Sequence, residues 1–406
     1  MINNFETYAE ILLRKGVNLQ EGQFLSVYCP IEGSEFMQVL SKVAYKLGAR
    51  YVEIEFYDPI QEQIRYQNCK SNYIQDYPNY FVQKKINMAQ ENVALLKFNP
   101  GIIPSIQFDP QAKKDSIKGL NKALEPYTQI KRVKTFNSCS TVLPTRYWAK
   151  QIFPHLSSED AYIALWNQLF HIAQCELNDS LDYWEDHINY ITQRRNHLNQ
   201  LKLTKLHIYD NDSDFFVELP HHHVWIGGSE CTVEGLRCMP NFPTEEIFTA
   251  CSKYGIHGKV HSSKPFIYQN EIIDDFTLFF EKGKIVDACA AHGQSALDSL
   301  LSLEEGTRYC GEIALLQGST IISRTNTIFK NTLLDENAAC HMAIGCAYPI
   351  NISDSLVYNA ADFEAHGINF ASIHCDFMFG KEDTTVIGID LNHQEIPLIQ
   401  NGKWTF

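Results

Sequence analysis

Apolar residues in the first hundred positions alternate between strand spacing and helix spacing. Residues 24–29 and 50–56 are short, mostly apolar runs, as expected of strands in a parallel sheet. Between them, residues 34–47 repeat apolar side chains at the helical period, and Gly48 follows as a stop signal. Because the order is strand, helix, strand, the pattern predicts a crossover unit with parallel strands. A second crossover unit is predicted to follow, with a strand at 94–98.

The pattern changes along the rest of the chain. Residues 115–200 are predicted to be mainly helical, with Ser157 as the cap of one helix and a long helix at 181–203. From Thr204 onward strands dominate. The predicted strands cover 205–209, 215–219, 277–281 and 285–289, and residues 281–284 form a hairpin turn between the last two.

The stretch 99–104 is the clearest break in the first half, since Pro and Gly punctuate it. A chain of 406 residues is long for a single hydrophobic core. We therefore predict an N-terminal α/β domain with a parallel sheet at 1–108. A larger, mixed α/β catalytic domain is predicted at 109–406, so that the fold class is α/β, or α+β for the chain as a whole.

Composition narrows the classes of function. Apolar residues make up 45% of the chain, which suits a packed globular protein. The net charge of −14 argues against a nucleic-acid binder, which would carry a basic stripe. No apolar run approaches the ~20 residues that span a bilayer. The 12 cysteines include no Cys-x-x-Cys pair, and no secretory signal is evident, so the expected compartment is the reducing cytoplasm.

Candidate chemistry is concentrated in the last third, where residues 371–380 are predicted to form a buried strand. Side chains alternate along a strand, so His374 and Asp376 share one face while Cys375 points the other way. A His and an Asp placed in this way can bind one metal ion. They can equally be a core histidine and the carboxylate that satisfies it. The pair alone leaves both interpretations open.

Three further residues could bind metal together with His374 and Asp376, although each is weak evidence for a metal site when taken alone. His341 lies in the middle of a short helix predicted to begin near Asp335. Glu312 stands at the mouth of an apolar strand. Glu246 follows Pro243 and Thr244, where a carboxylate could simply complement a helix N-terminus.

The triplet His221, His222 and His223 invites a metal-binding interpretation. Consecutive side chains of an extended segment point to opposite faces, so three of them cannot easily share one ion. We therefore do not predict a metal site at the triplet.

Longer motifs give these residues a context. The chain contains Pro240-Asn-Phe-Pro-Thr-Glu-Glu-Ile-Phe-Thr-Ala250, then Gly311-Glu-Ile-Ala-Leu315, then Asn331-Thr-Leu-Leu-Asp-Glu-Asn-Ala-Ala-Cys-His341, then His374-Cys-Asp-Phe-Met378. In this order and over essentially its whole length, the chain resembles the dinuclear metallo-aminopeptidases of the thermophilic type, which include aminopeptidase T, aminopeptidase S and PepS.

The resemblance implies a ligand set and a function. The positions that match the family's metal ligands are Glu246, Glu312, His341, His374 and Asp376. Two divalent ions (zinc, cobalt or manganese) are expected, and one carboxylate, Glu246 or Glu312, must be shared between them. Tyr348 matches the tyrosine near the metals and could hydrogen-bond the oxyanion. Glu245 is a candidate general base, provided that it faces the metals. The expected activity is release of N-terminal residues from short peptides by a homodimer with an enclosed chamber.

Two other classes compete with this hypothesis. Ring-cleaving mononuclear iron dioxygenases resemble this fold, and a His-x-Asp pair with a further histidine is close to their iron triad. Such enzymes do not need paired glutamates, so Glu246 and Glu312 favour hydrolysis. A non-catalytic metal-binding relative is the third class, and the intact ligand positions argue against it.

Overall fold

The computed structural model describes residues 2–133, 136–268, 271–353 and 359–406. The chain divides into two compact units. The first comprises Met1–Asp186 and Ser229–Pro243, and the second comprises His187–Gly228 and Thr244–Phe406. Each unit is therefore built from two separate stretches of sequence. Among the described residues, none of the helices combines the length and the apolar character that crossing a bilayer requires.

Helices and strands alternate in the first part of the chain, and strands predominate later. The helices are α1 (Ile2–Ile11), α2 (Ser34–Lys46), α3 (Ile60–Asn68), α4 (Asn79–Gln90), α5 (Pro110–Ala123), α6 (Glu125–Val133), α7 (Arg146–Ile152), α8 (Ser158–Ile172), α9 (Ser180–Leu201), α10 (Gln294–Leu301), α11 (Thr332–Asp335) and α12 (Ala360–Ala365). The strands are β1 (Phe24–Pro30), β2 (Tyr51–Tyr57), β3 (Ala94–Asn99), β4 (Ser138–Val142), β5 (Leu203–Tyr209), β6 (Asp214–Glu218), β7 (Glu230–Cys231), β8 (Arg237–Cys238), β9 (Ile247–Ala250), β10 (Ile256–His261), β11 (Phe266–Tyr268), β12 (Glu271–Glu281), β13 (Lys284–His292), β14 (Cys310–Leu315), β15 (His341–Gly345), β16 (His374–Met378), β17 (Thr385–Asp390), β18 (Glu395–Gln400) and β19 (Lys403–Trp404).

The first unit contains a four-stranded sheet in the order β2-β1-β3-β4. All three pairings are parallel, so the predicted α/β unit with a parallel sheet is confirmed. Aromatic side chains form much of the core beside the sheet. Trp166 of α8, for example, packs against Phe5 and Phe36 with ring centres 4.8 and 5.5 Å away. The predicted cap also forms, since the Ser157 hydroxyl accepts the Asp160 N–H at 3.1 Å.

The first unit extends well beyond the predicted boundary at residue 108. Strand β4 lies within the stretch predicted to be mainly helical, and it pairs with β3 through the register Phe98↔Thr141. The segment 229–243 also returns to this unit, because the Pro240 carbonyl accepts the Ser140 N–H at 2.7 Å. The division at 1–108 and 109–406 differs from the observed units, since it would cut the parallel sheet between two paired strands.

The second unit contains two antiparallel sheets. Its nine-stranded sheet has the order β11-β12-β10-β6-β5-β17-β18-β19, with β13 paired to β12, and its four-stranded sheet has the order β16-β15-β14-β9. Apolar side chains from both sheets join one buried cluster, which includes Phe215, Leu278 and Phe377. The predicted hairpin turn joins β12 to β13, with Lys282 and Gly283 at φ 49° and 77°.

A side chain covers two peptide groups at the outer edge of β13. Gln294 Oε1 accepts the Ala290 N–H at 2.6 Å, and Gln294 Nε2 donates to the Ala288 carbonyl at 3.2 Å. Strand β12 pairs with the other side of β13. The Gln294 amide thus takes the place that a peptide group of a further strand would occupy.

The predicted helix around His341 is wrong. Helix α11 ends at Asp335, a 3₁₀ turn covers Glu336–Ala338, and His341 is the first residue of strand β15. Every residue of β15 is buried. The strand therefore lacks the alternation of apolar and polar residues that would have distinguished it from a small-residue helix.

Candidate metal centre

One face of the four-stranded sheet collects four of the five predicted ligands. In the antiparallel register Glu312 lies opposite Ala343, and Ala343 lies opposite Asp376. Opposed residues share a face, and so do residues two positions apart on a strand. His341 and His374 are two positions from Ala343 and Asp376, so they project from the same face. The alternation predicted for His374 and Asp376 is what creates this arrangement.

Small side chains leave space on this face. Ala250 pairs with Glu312, Ala314 pairs with His341, and Ala343 lies between Glu312 and Asp376. On the opposite face, Ile313 and Phe377 belong to the buried apolar core. Apolar burial therefore anchors the strands from one side, while alanines keep the other side open for the functional groups.

The first group of converging side chains consists of Glu246, Glu312 and His341. Glu246 comes from the segment just before β9. Its Oε2 lies 3.1 Å from His341 Nε2, and Glu312 Oε1 lies 3.6 Å from the same nitrogen. One donor atom from each residue lies within 4.8 Å of the others, and all three residues are buried. Two carboxylates and an imidazole at these separations could hold a metal ion.

The second group consists of Glu312, His374 and Asp376. His374 Nε2 lies 3.1 Å from Asp376 Oδ1 and 3.8 Å from Glu312 Oε2. Their donor atoms also lie within 4.8 Å of one another. Glu312 thus belongs to both groups, with one oxygen towards each, whereas Glu246 belongs to one. Of the two carboxylates that the sequence left open for sharing, the geometry favours Glu312.

The site has the polar atoms that a cation would satisfy. Glu312 Oε2, His341 Nε2 and Asp376 Oδ1 are buried without a hydrogen-bond partner. Burying such atoms unpaired is costly unless another group satisfies them. These residues therefore fit a metal ion, and the mixed oxygen and nitrogen donors suit zinc, cobalt or manganese.

Both imidazoles are oriented by backbone carbonyls. His341 Nδ1 donates to the Ala339 carbonyl at 3.1 Å, and His374 Nδ1 donates to the Cys346 carbonyl at 2.7 Å. Because a carbonyl can only accept, Nδ1 must carry the proton. In the neutral ring this leaves the Nε2 lone pair directed at the carboxylates, as a metal ligand requires.

Burial and mutual charge shift the pKa values of these groups. Burial raises the pKa of Glu312 to about 7. Burial disfavours the charged form of His374, but the nearby negative charges of Asp376 and Glu312 outweigh this and raise its pKa to about 9. Burial likewise disfavours the charged form of His341, but the nearby Glu246 and Glu312 outweigh this and raise its pKa. Without a cation the cluster therefore keeps protons that a bound cation would displace.

Tyr348 lies beside the cluster. Its ring centre is 4.4 Å from that of His374, and its side chain remains partly exposed. Burial, together with the charges of Asp376 and Glu312, raises the pKa of Tyr348. The phenol therefore stays protonated near neutral pH and can donate a hydrogen bond.

Glu245 is not brought into the cluster. Its Oε2 lies 3.6 Å from His187 Nε2, and its carboxylate also accepts a backbone hydrogen bond from Ile321. The condition attached to Glu245, that it should face the metals, is not met. The physical reason is that neighbouring residues of an extended segment point in opposite directions, and Glu246 takes the direction of the cluster.

Glu336 is a carboxylate that the sequence reasoning missed. It lies in the 3₁₀ turn Glu336–Ala338, which contacts strand β16. Burial raises the pKa of Glu336 well above its ordinary value, and the charges of Glu246 and Asp376 add to this. An acidic residue at the start of a small, apolar run was the available signal. The predicted helix gave no reason to aim it at the site.

The cysteines next to the proposed ligands and the histidine triplet have structural contacts. The Cys340 thiol donates to the Leu316 carbonyl at 3.1 Å, and Cys375 packs against the apolar core. His223 Nδ1 donates to the Pro220 carbonyl at 3.1 Å. In the part of the chain that the structure describes, no group of converging metal-binding side chains includes the histidine triplet.

Comparison with known proteins agrees with this geometry. Residues 1–404 match the family described as thermophilic metalloprotease (M29). The chain belongs to this family. Aminopeptidase 2 of Geobacillus stearothermophilus is 33% identical over 99% of this chain and 97% of its own length. Aminopeptidase AmpS of Bacillus subtilis (strain 168) is 32% identical over 98% of each chain. The structure of wild-type AmpT from Thermus thermophilus is similar with a TM-score of 0.86, 29% identity and 99% coverage of both chains.

Membership of the M29 family confirms the resemblance and the mixed α/β fold. It also confirms the predicted enzyme class, a hydrolase of the metallo-aminopeptidase type. Neither the iron dioxygenase nor the non-catalytic relative finds support among these similarities. The M29 chain keeps both glutamates in its cluster, which is the feature that separated hydrolysis from ring cleavage.

Proposed function

We propose that this M29 chain releases N-terminal residues from short peptides by using two divalent cations held at the cluster. The observation that carries the proposal is the position of Glu312, which offers one oxygen to each of two ligand groups. Glu246 and His341 would complete one cation site, and His374 and Asp376 would complete the other. Bound there, zinc, cobalt or manganese ions would activate a water molecule and polarise the scissile carbonyl.

Two residues of the chain would move or hold protons during the reaction. We infer that Glu336, rather than Glu245, accepts the proton of the attacking water, since the turn of Glu336 contacts strand β16, which carries His374 and Asp376, whereas Glu245 faces His187. Tyr348 would donate its hydroxyl proton in a hydrogen bond to the carbonyl oxygen as negative charge develops there. Both assignments follow from side chains that border the cluster.

The substrates, assembly and compartment stay part of the proposal. The relatives' names support a substrate with a free N-terminus. The expected homodimer can be checked by sedimentation velocity, with a single species of twice the mass of the 46.6 kDa chain as the expected result. The cytoplasmic location stays a prediction from the cysteine content and composition.

Removal and replacement of the metal test the central claim. Chelator-treated protein should lose cleavage of aminoacyl chromogenic substrates and regain it with zinc, cobalt or manganese. Glu312→Gln and His341→Ala should abolish both activity and bound metal, since each removes a donor from a buried site. Glu364→Gln and His207→Ala change partly exposed residues outside the cluster and serve as controls. Full activity in either cluster variant, or one iron per chain in the purified protein, would contradict the proposal.

The choice of proton acceptor has its own test. Glu336→Gln keeps the size of the side chain and should lower kcat by about 10²–10⁴-fold, the range for a lost general base. Bound zinc, measured by elemental analysis, should stay near the native amount. Glu245→Gln is the comparison, and it should lower kcat far less. If Glu245→Gln instead causes the larger loss of kcat and Glu336→Gln the smaller one, Glu245 is the base.

A further inference from the structure

Glu246 differs from the other four proposed ligands in how its backbone is held. Glu312, His341, His374 and Asp376 lie in paired strands. Glu246 precedes β9, whose ladder with β14 begins at the pair Leu315↔Ile247. Strand pairing therefore stops one residue short of Glu246. A ligand outside the ladder needs other contacts to hold it in place.

Asn337 supplies the most direct of these contacts. Its Oδ1 accepts the N–H of Glu245 at 2.6 Å, and its Nδ2 donates to the Leu333 carbonyl at 2.9 Å. The Asn337 side chain is fully buried. Both ends of the amide are thus engaged, which fixes its rotation. The residue lies four positions before His341, so it joins the segment of Glu246 to the segment of another ligand.

Two further contacts hold the same segment. His187 Nε2 donates to the Thr244 carbonyl at 3.0 Å. Gly227 approaches so closely that a Cβ atom there would lie 2.2 Å from the Glu246 carbonyl oxygen, and its φ of +149° also favours glycine. Side chains and a close backbone approach therefore do for Glu246 what strand pairing does for the other ligands.

We propose that Asn337 is a positioning residue that holds Glu246 in register with His341 before a cation binds. The proposal rests on the proposed metal site and adds a residue that would not touch the metal itself. Without the bond to Glu245, the segment before β9 gains freedom that metal binding must then remove. Loss of such an outer contact weakens metal binding by about 10–100-fold in comparable sites.

Zinc affinity measured by chelator competition tests this role. Asn337→Ala should raise the zinc dissociation constant about 10–100-fold and change the absorption spectrum of the cobalt-substituted protein. Thr307→Ala is the matched control. Thr307 is also fully buried in the second unit, and its hydroxyl bonds within its own turn, where it donates to the Glu304 carbonyl at 2.7 Å and accepts the Glu304 N–H at 3.5 Å. It should lower the melting temperature of the metal-free protein and leave zinc affinity unchanged.

Two more variants keep the test decisive if Asn337→Ala does not fold. Asn337→Asp retains an acceptor for the Glu245 N–H, so its zinc affinity should lie nearer the native value. Gly227→Ala should weaken zinc binding, because it displaces the Glu246 backbone. Native affinity in both Asn337→Ala and Gly227→Ala, or equal weakening in Thr307→Ala, would overturn the positioning role. A native protein without zinc affinity would instead overturn the proposed function, and this proposal with it.

Discussion

Glu312 sits where burial opposes the ionisation of its carboxyl group. It is buried, near other carboxylates, and one of its oxygens lacks a hydrogen-bond partner. Its environment therefore favours either a proton or a cation. The pKa values of the two histidines of the cluster are also raised, because their neighbours are anions that stabilise the protonated ring. In both cases the metal-free folded protein holds protons more tightly than the unfolded chain does.

This difference in proton binding predicts how the stability of the metal-free protein depends on pH. A raised pKa in the folded state stabilises it below the unfolded pKa, and the contribution is lost as pH rises through the folded pKa. For Glu312 the loss should occur up to about pH 7, and for His374 up to about pH 9. Each group contributes on the order of 3 kcal/mol. The melting temperature of chelator-treated protein should therefore fall from pH 6 to pH 9.

Variants of the cluster show which groups cause this fall in melting temperature with pH. Glu312→Gln cannot titrate, so its metal-free form should lose less stability between pH 5 and pH 7 than the native chain. Zinc-loaded protein should show a flatter profile, since the cation replaces the protons. A melting temperature of metal-free protein that rises between pH 6 and pH 9 would contradict the pKa shifts.

At the scale of elements, strand β15 provides the space that a metal ion would need on this face of the sheet. Ala343 is fully buried and lies between Glu312 and Asp376 in register. Ala343→Leu should fill the space between these carboxylates and reduce bound metal to background, as measured by elemental analysis. Overpacking should also cost about 1–3 kcal/mol of unfolding free energy. Met342→Leu changes the opposite face at similar volume, and it should keep its metal. Full metal content in Ala343→Leu would show that the face has room to spare.

The same elements show what the sequence could and could not reveal. Alternation in β16 was enough to place His374 and Asp376 together, because a strand fixes the relation between residues two apart. His341 was assigned to a helix, since β15 is buried throughout and carries no alternation. The contact from Asn337 to Glu245 joins residues 92 positions apart and depends on tertiary packing. The proposed ligands came from matching motifs, whereas the place of Glu312 in both candidate groups required the sheet register.

At the scale of the whole molecule, neither compact unit is a continuous stretch of chain. A fragment of residues 109–406 separates β4 from β3 and removes Gly16, whose carbonyl accepts the Met239 N–H at 2.8 Å. We expect residues 109–186 of this fragment, which have lost their partners in the first unit, to stay unfolded and to be cleaved first in limited proteolysis followed by mass spectrometry. A chain that joins 187–228 to 244–406 through a short Gly-Ser linker contains the entire second unit. Because Gly227 lies against Glu246, its two segments meet near the join.

The linked second unit should bind zinc with an affinity close to that of the full chain, since all five proposed ligands belong to it. Calorimetric titration of both proteins measures this. Cooperative folding of 109–406 together with an unfolded linked chain would mean that the sequence break near residue 108, and not the observed division, marks the domain boundary.

Gln294 has a consequence for how molecules of this protein behave at high concentration. Its amide closes two peptide groups on the rim of β13, a strand whose exposed part carries little charge. Gln294→Ala would free these peptide groups to pair with the same strand edge of another molecule. The variant should therefore form a gel or thioflavin-positive fibrils sooner than the parent during storage. One glutamine would then decide between a solution and a polymer. Gln294→Glu keeps an acceptor, adds a repelling charge and should remain dispersed.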